Sequence, residues 1–165
     1  MKEPGAYGSA NALRALKYVS NGSNSPMETM MDMLRILPFS YGGFSISGQE
    51  LNAQIILSKE AASVFRRKSC VVDALWRDIK VVFEYDSNKT HLNAQQHDHD
   101  KRKILALEMD GYKVFPVTYN MVSTIWEIEN TFVMLRKMLG KRTDLSRIEQ
   151  TREKRRELIQ FLRSV

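Results

Sequence analysis

The chain has 165 residues, 43% hydrophobic and 27% charged, a balance that excludes a low-complexity or disordered polymer and suffices for one globular core. No apolar run approaches membrane-spanning length, and the start Met1-Lys2-Glu3-Pro4-Gly5 has no apolar signal core behind it; with Cys70 as the single cysteine, neither secretion nor a disulfide framework is expected, and the cytoplasm is the expected location. The net charge of +6 is local: residues 136–165 hold ten Lys and Arg against four Asp and Glu, while residues 1–135 hold fifteen of each.

In chain order, residues 10–19 have helical composition and spacing through Leu13, Leu16 and Val19, and Asn21-Gly22-Ser23-Asn24 breaks them. Ser25-Pro26-Met27-Glu28 reads as a helix start, with a Ser cap, Pro at the first helical position and Glu three residues after the cap. Met27, Met30, Met31, Leu34 and Leu37 form its buried stripe. Residues 38–48 are a Gly- and Ser-rich loop, residues 51–57 a strand, and the connection after it has no clear pattern.

Two apolar runs follow, Cys70-Val71-Val72-Asp73-Ala74-Leu75-Trp76 and Ile79-Lys80-Val81-Val82-Phe83-Glu84-Tyr85-Asp86, separated by Arg77 and Asp78 alone. β-Branched and aromatic enrichment around so short a break predicts an antiparallel hairpin. A two-residue turn sets 76 opposite 79 and 73 opposite 82, so Asp73, Val82, Glu84 and Asp86 share one face, with Asp73 diagonal to Glu84 at about 7 to 8 Å. Val72, Ala74, Val81, Phe83 and Tyr85 take the packing face. Several anions on a partly buried face repel one another unless one is protonated or a cation sits among them, and a divalent metal is the simplest cation. The competing account is a solvated outward face, although such faces usually mix Thr, Lys, Ser and Gln with acids.

Residues 93–110 predict a helix closed by Gly111, with Gln96, Asp100, Lys103 and Leu107 on one side. Residues 113–118 predict a short strand that Pro116 confines to an edge or bulge. Residues 121–139 predict a longer amphipathic helix ended by Gly140, with Trp126 read as core. Ser146-Arg147-Ile148-Glu149 opens a last helix. The order is helix, strand, strand, strand, helix, strand, helix, plus a C-terminal helix: an α/β chain with a mixed central sheet of about four strands flanked by helices.

This order and these motifs resemble the restriction-endonuclease-like PD-(D/E)XK superfamily, and within it the Vsr-like group of uncharacterised endonuclease domains. The likeness rests on Ser25-Pro26-Met27-Glu28-Thr29, Val72-Asp73-Ala74-Leu75-Trp76, Glu84-Tyr85-Asp86-Ser87 with His91, and Asp100, Lys103, Leu107 and Gly111-Tyr112 followed by Val117-Thr118. It covers roughly residues 10–140 and implies an endonuclease-like domain, expected over residues 1–142, with the charge excess marking 143–165 as a basic helical tail. It also implies hydrolysis of phosphodiester bonds, in DNA first and RNA as the alternative, with Mg²⁺ or Mn²⁺ held by Asp73, Glu84 and Asp86. Glu28 from the preceding helix completes such sites, although its capping role alone explains it. The superfamily signature has lysine where this chain has Asp86; Lys103, Lys89 or His91 are the candidates to replace it. The alternative is an inactive nucleic-acid-binding or regulatory module retaining the nuclease fold.

Phosphodiester hydrolysis needs an activated in-line water and neutralised phosphate charge, and a hard ion on oxygen ligands supplies both. His91, just past the second acidic strand, is placed to act as base or proton donor. His97 and His99 alternate on a helix, without a cysteine pair, and read as solvated rather than as a zinc site. Lys103 is a candidate phosphate contact, with a surface ion pair to Asp100 as its plainer role. In the tail, Arg142, Arg152, Arg155 and Arg156 offer a sequence-independent grip on phosphates, weakened by internal Glu149–Arg152 and Glu153–Arg156 pairs at helical spacing.

Overall fold

The computed structural model describes residues 26–86 and 94–164. The helix expected over 10–19, the Ser25 cap and His91 lie outside the described residues. Helix α1 (Pro26–Ile36) buries Met30, Met31 and Leu34 on the side its spacing predicts. A 3₁₀ turn at Phe39–Tyr41 then folds the chain back so tightly that a Cβ on Gly43 would fall 2.1 Å from the Leu37 carbonyl oxygen. That return delivers Phe39, Phe44 and Ile46 into the core.

Strand β1 (Glu50–Ile56) leads to a helix that the sequence pattern did not reveal, α2 (Lys59–Phe65). Ser58 caps it by accepting from the Ala61 N–H at 3.1 Å, and Ala61 and Phe65 are its buried positions. Strands β2 (Ser69–Trp76) and β3 (Val81–Asp86) form the expected hairpin. Helix α3 (Ala94–Met109) crosses to β4 (Lys113–Thr118), which runs parallel to β3. The sheet order is β1-β2-β3-β4, with the first two pairings antiparallel, and Pro116 sits on edge strand β4, where no second neighbour needs its missing N–H.

Helix α4 (Ile125–Met138) starts at a Thr124 cap, after a 3₁₀ turn takes up residues 120–122. The tail is two helices, α5 (Leu145–Gln150) and α6 (Arg152–Ser164). It is not a solvated appendage, because Ile148 and Ile159 belong to the same core cluster as Phe83, Phe115 and Phe132. Helices α1, α4 and α6 therefore cover one side of the sheet, while α2 and α3 cover the other through Phe65, Ala106 and Leu107 against Ile55, Val72, Leu75 and Val82. Both faces being covered, the acidic strand positions do not look onto open water as they would on a one-sided sheet.

Two local departures set the site. The hairpin turn spans Arg77 to Lys80 rather than two residues, because Lys80 takes a left-handed conformation (φ 50°) and its N–H donates to the Arg77 carbonyl. Trp76 consequently faces Val81, Leu75 faces Val82 and Ala74 faces Phe83. The second departure is a break in alternation. Ala53 with Val72 and Ile55 with Cys70 point to the α2/α3 side, but Leu51 with Ala74 points to the α1 side. Between these pairs the ladder skips Asn52, which has φ 46°, and Asp73. Val72 therefore packs on the face opposite the one its spacing predicts.

Candidate functional site

The site is built where β2 and β3 part. The pairing ends at Ala74–Phe83, and its continuation would set Asp73 directly opposite Glu84 instead of diagonal to it. Asp73 is half-buried at the break in β2, and its Oδ2 accepts the Tyr85 N–H at 2.6 Å. A side chain thus takes the place of a ladder carbonyl, which fixes the carboxylate at the mouth of the two strands.

Glu84 shares its face with Val82, beneath α3. Lys103 of α3 brings its Nζ to 2.7 Å from Glu84 Oε1, both side chains being 19% exposed. At that distance the ammonium is the charged partner of a buried carboxylate oxygen. Burial pushes the Glu84 carboxyl up to about 7, with Lys103 opposing and Asp73 adding to the rise. Burial also raises Asp73, against the Tyr85 N–H and the Lys103 charge, while Glu28 adds to the rise. Asp73, Glu84 and Lys103 are therefore one electrostatic unit spanning two strands and a helix.

On the α1 side, Glu28, Asp32, Arg35, Asn52 and Asp73 line a cavity of about 10 Å³, room for about one water. Arg35 is 1% exposed, ion-paired to Asp32, and packed over the Trp76 and Phe83 rings at 5.7 and 5.2 Å. Its charge helps keep Asp73 ionised. Sequence reasoning passed over Arg35, although Glu28, Asp32 and Arg35 recur at helical spacing beside the Met stripe.

The predicted residues divide into two groups. Asp73 and Glu84 feel each other's charge but do not share a face as expected: the break in β2 turns Asp73 to the α1 side, where Glu28 lines the cavity with it, while Glu84 stays on the α3 side with Val82 and meets Lys103. Asp86 ends β3 across from Thr118. The described residues hold no group of three His, Cys, Asp or Glu arranged to bind a metal, so the Asp73, Glu84 and Asp86 trio is not assembled among them. The strands separate at this point and Lys103 occupies the space beside Glu84. His99 is not solvated as expected; it lies half-buried with its ring 4.9 Å from that of Phe65. Trp126, expected in the core, is 56% exposed.

The tail arginines also divide. Arg142 and Arg156 are exposed, Arg156 pairing with Glu153 at 2.7 Å. Arg155 is 0% exposed, stacked 4.4 Å over Phe44 and bonded to Glu129 at 2.5 Å, so it cannot face a polyanion. Arg152 donates to both Glu129 oxygens and lies 3.9 Å over Trp126. Both are structural cations.

Comparison of the chain with protein-family models, curated proteins and solved structures gave no match. Among the described residues, no helix is long and apolar enough to cross a membrane.

Proposed function

We propose that the chain is a metal-dependent endonuclease with a restriction-endonuclease-like core, cutting phosphodiester bonds in DNA at the Asp73–Glu84–Lys103 cluster. One observation carries the reading: two carboxylates on neighbouring strands are each raised by burial and each feel the charge of Lys103, which touches Glu84. Such an arrangement costs stability, and acids perturbed by burial cluster at working sites. The element order supports the same reading: apart from helix α2, inserted between β1 and β2, a helix, three antiparallel strands, a crossover helix and a parallel strand follow one another as the resemblance implies.

The donor set suits a hard ion. Mg²⁺ commonly takes one or two protein carboxylates and completes its shell with water and substrate phosphate, so Asp73 and Glu84 would be its protein ligands without Asp86. A bound Mg²⁺ or Mn²⁺ would supply phosphate neutralisation and a water acidic enough to attack at neutral pH. Asp73, fixed by the Tyr85 N–H, orients its free oxygen. Glu84, near neutrality in its titration, serves as ligand or proton acceptor. Lys103 places a positive charge beside Glu84, the part the signature lysine would otherwise play, and can move to a phosphate oxygen when substrate arrives.

Incubation of duplex DNA with Mg²⁺ or Mn²⁺ tests this. Asp73→Asn and Glu84→Gln should each lower cleavage by at least about 100-fold, the scale of losing a ligand or a proton-transfer group, while circular dichroism stays unchanged. Equal cleavage by the wild type and the double variant sinks the proposal.

A second reading, an inactive nucleic-acid-binding module, is favoured by Asp86 standing where the superfamily signature has lysine. Calorimetric titration with Mn²⁺ separates the two: uptake abolished by Glu84→Gln supports the enzyme, and no uptake supports the module.

A further inference from the structure

The α2/α3 side of the sheet carries a second feature, and it opens toward Lys103. A groove of about 470 Å³ is lined by Phe65, Arg67, Lys68, Ser69, His99 and Lys103, among others, and none of its lining residues is acidic. Arg67 and Lys68 are exposed, and they follow Arg66, whose left-handed backbone (φ 61°) ends α2. The loop is held in place, because the Lys68 carbonyl accepts the Leu57 N–H at 3.0 Å. Arg67 lies 5.8 Å from the Phe65 ring and His99 packs against that same ring at 4.9 Å. Three cations and an imidazole are thus mounted on a fixed aromatic and backbone frame.

From this we infer that the groove is the track for the DNA backbone, with Arg67 and Lys68 holding phosphates on the strand whose next phosphate meets Lys103 and Glu84. The inference deepens the nuclease reading and rests on it for what the strand is delivered to. Two observations choose this side. The cavity behind Asp73 on the α1 side has room for about one water, whereas the groove beside Lys103 is some fifty times larger. Lys103 itself lines the groove while contacting Glu84, so groove and site are continuous through one side chain. A phosphate-bearing strand suits the groove because its charges repeat at regular spacing along the backbone and the lining offers cations without an acid.

The test is binding of a labelled 20-base-pair duplex by the full chain in EDTA, as a function of salt, so that cleavage plays no part. The double variant Arg67→Gln, Lys68→Gln should weaken binding at least tenfold at moderate salt. It should also lower the slope of log Kd against log salt by about two, close to one for each phosphate that is no longer neutralised. The double variant Lys113→Gln, Lys137→Gln removes the same charge elsewhere and should change Kd less than threefold with the slope intact. Equal weakening in both variants, an unchanged slope in the groove variant, equal competition by polyglutamate, or no DNA binding by the wild type would each overturn the proposal. The two readings part cleanly: groove-dependent binding without cleavage leaves the groove standing and removes the nuclease, whereas cleavage untouched by the groove variant does the reverse.

Discussion

Two regions of this molecule bury carboxylates beside cations, and they balance charge in opposite ways. At Glu129, one carboxylate serves two guanidiniums: Arg155 at 2.5 Å, and Arg152 through both oxygens at 2.9 to 3.1 Å. Arg155 also donates to the Ile148 carbonyl and the Thr151 hydroxyl, leaving only its Nε unpartnered in that cluster among the described residues. At the mouth of β2 and β3 the balance reverses, with Glu28, Asp32, Asp73 and Glu84 around Arg35 and Lys103. The first cluster has cations in excess and hydrogen bonds to absorb them. In the second, burial raises two of the acids. A network that satisfies itself has done its work in folding, whereas buried acids that titrate high keep a cost in the folded state.

The sharpest way to break this contrast is to cut the Glu129 cluster. Glu129→Ala leaves Arg155 buried without its carboxylate, and removing one member of a buried pair costs about 3 to 5 kcal/mol. Urea unfolding should show that destabilisation, with DNA cleavage per folded molecule unchanged. A change under about 1 kcal/mol would mean that the cluster is not the structural one.

The next effect is pH-linked and belongs to the acidic cluster. Glu84 has a carboxyl raised from 4.5 to about 7 in the folded chain. The folded state therefore holds a proton that the unfolded state has released, so its contribution to stability is full below about pH 4.5 and is lost as pH rises through about 7. In metal-free buffer, the stability of Glu84→Gln relative to the wild type should improve by on the order of 2 to 3 kcal/mol between about pH 4.5 and 8. Lys103 losing its partner adds an offset that does not vary across this range, so the slope is the quantity to read. Parallel pH profiles would show that Glu84 titrates as an ordinary carboxylate. Metal uptake should follow the opposite course and strengthen as pH rises through about 7, because the ligand must be deprotonated.

The sequence made the strands and the long helices legible, since β-branched runs and helical stripes are local signals. The stripe Met30, Met31, Leu34 is buried as its spacing requires, and β4 runs over residues 113–118 as predicted. What was not legible depends on single backbone conformations or distant partners. Nothing local announces that Lys80 lengthens the hairpin turn, or that Asn52 with φ 46° turns the strand faces over; Asn merely tolerates that conformation. Helix α2 was missed because seven residues give too short a period to register. At the site, Asp73, Glu84 and Lys103 could be picked by residue type and order. The buried fate of Arg155 could not, because it depends on Glu129, 26 residues away, which follows Ile128 in an otherwise apolar helix stripe.

Trp126 gives the smallest effect and still separates the two regions. It is 56% exposed, yet the Arg152 guanidinium lies 3.9 Å over its ring, on the arginine that Glu129 holds. If the ring belongs to the structural cluster, Trp126→Leu removes a half-exposed cation–π interaction, costs about 0.5 to 1 kcal/mol of stability and leaves DNA affinity alone. If it were a stacking platform for an unpaired base, single-stranded DNA binding would weaken by about 1 to 3 kcal/mol, with little change in folding. Because Arg152 already covers the ring and is tied to Glu129, a base would have to displace a cation held by two carboxylate oxygens. Stability should therefore fall and affinity should not, placing this aromatic with the cluster that satisfies itself and apart from the groove proposed for the phosphate backbone.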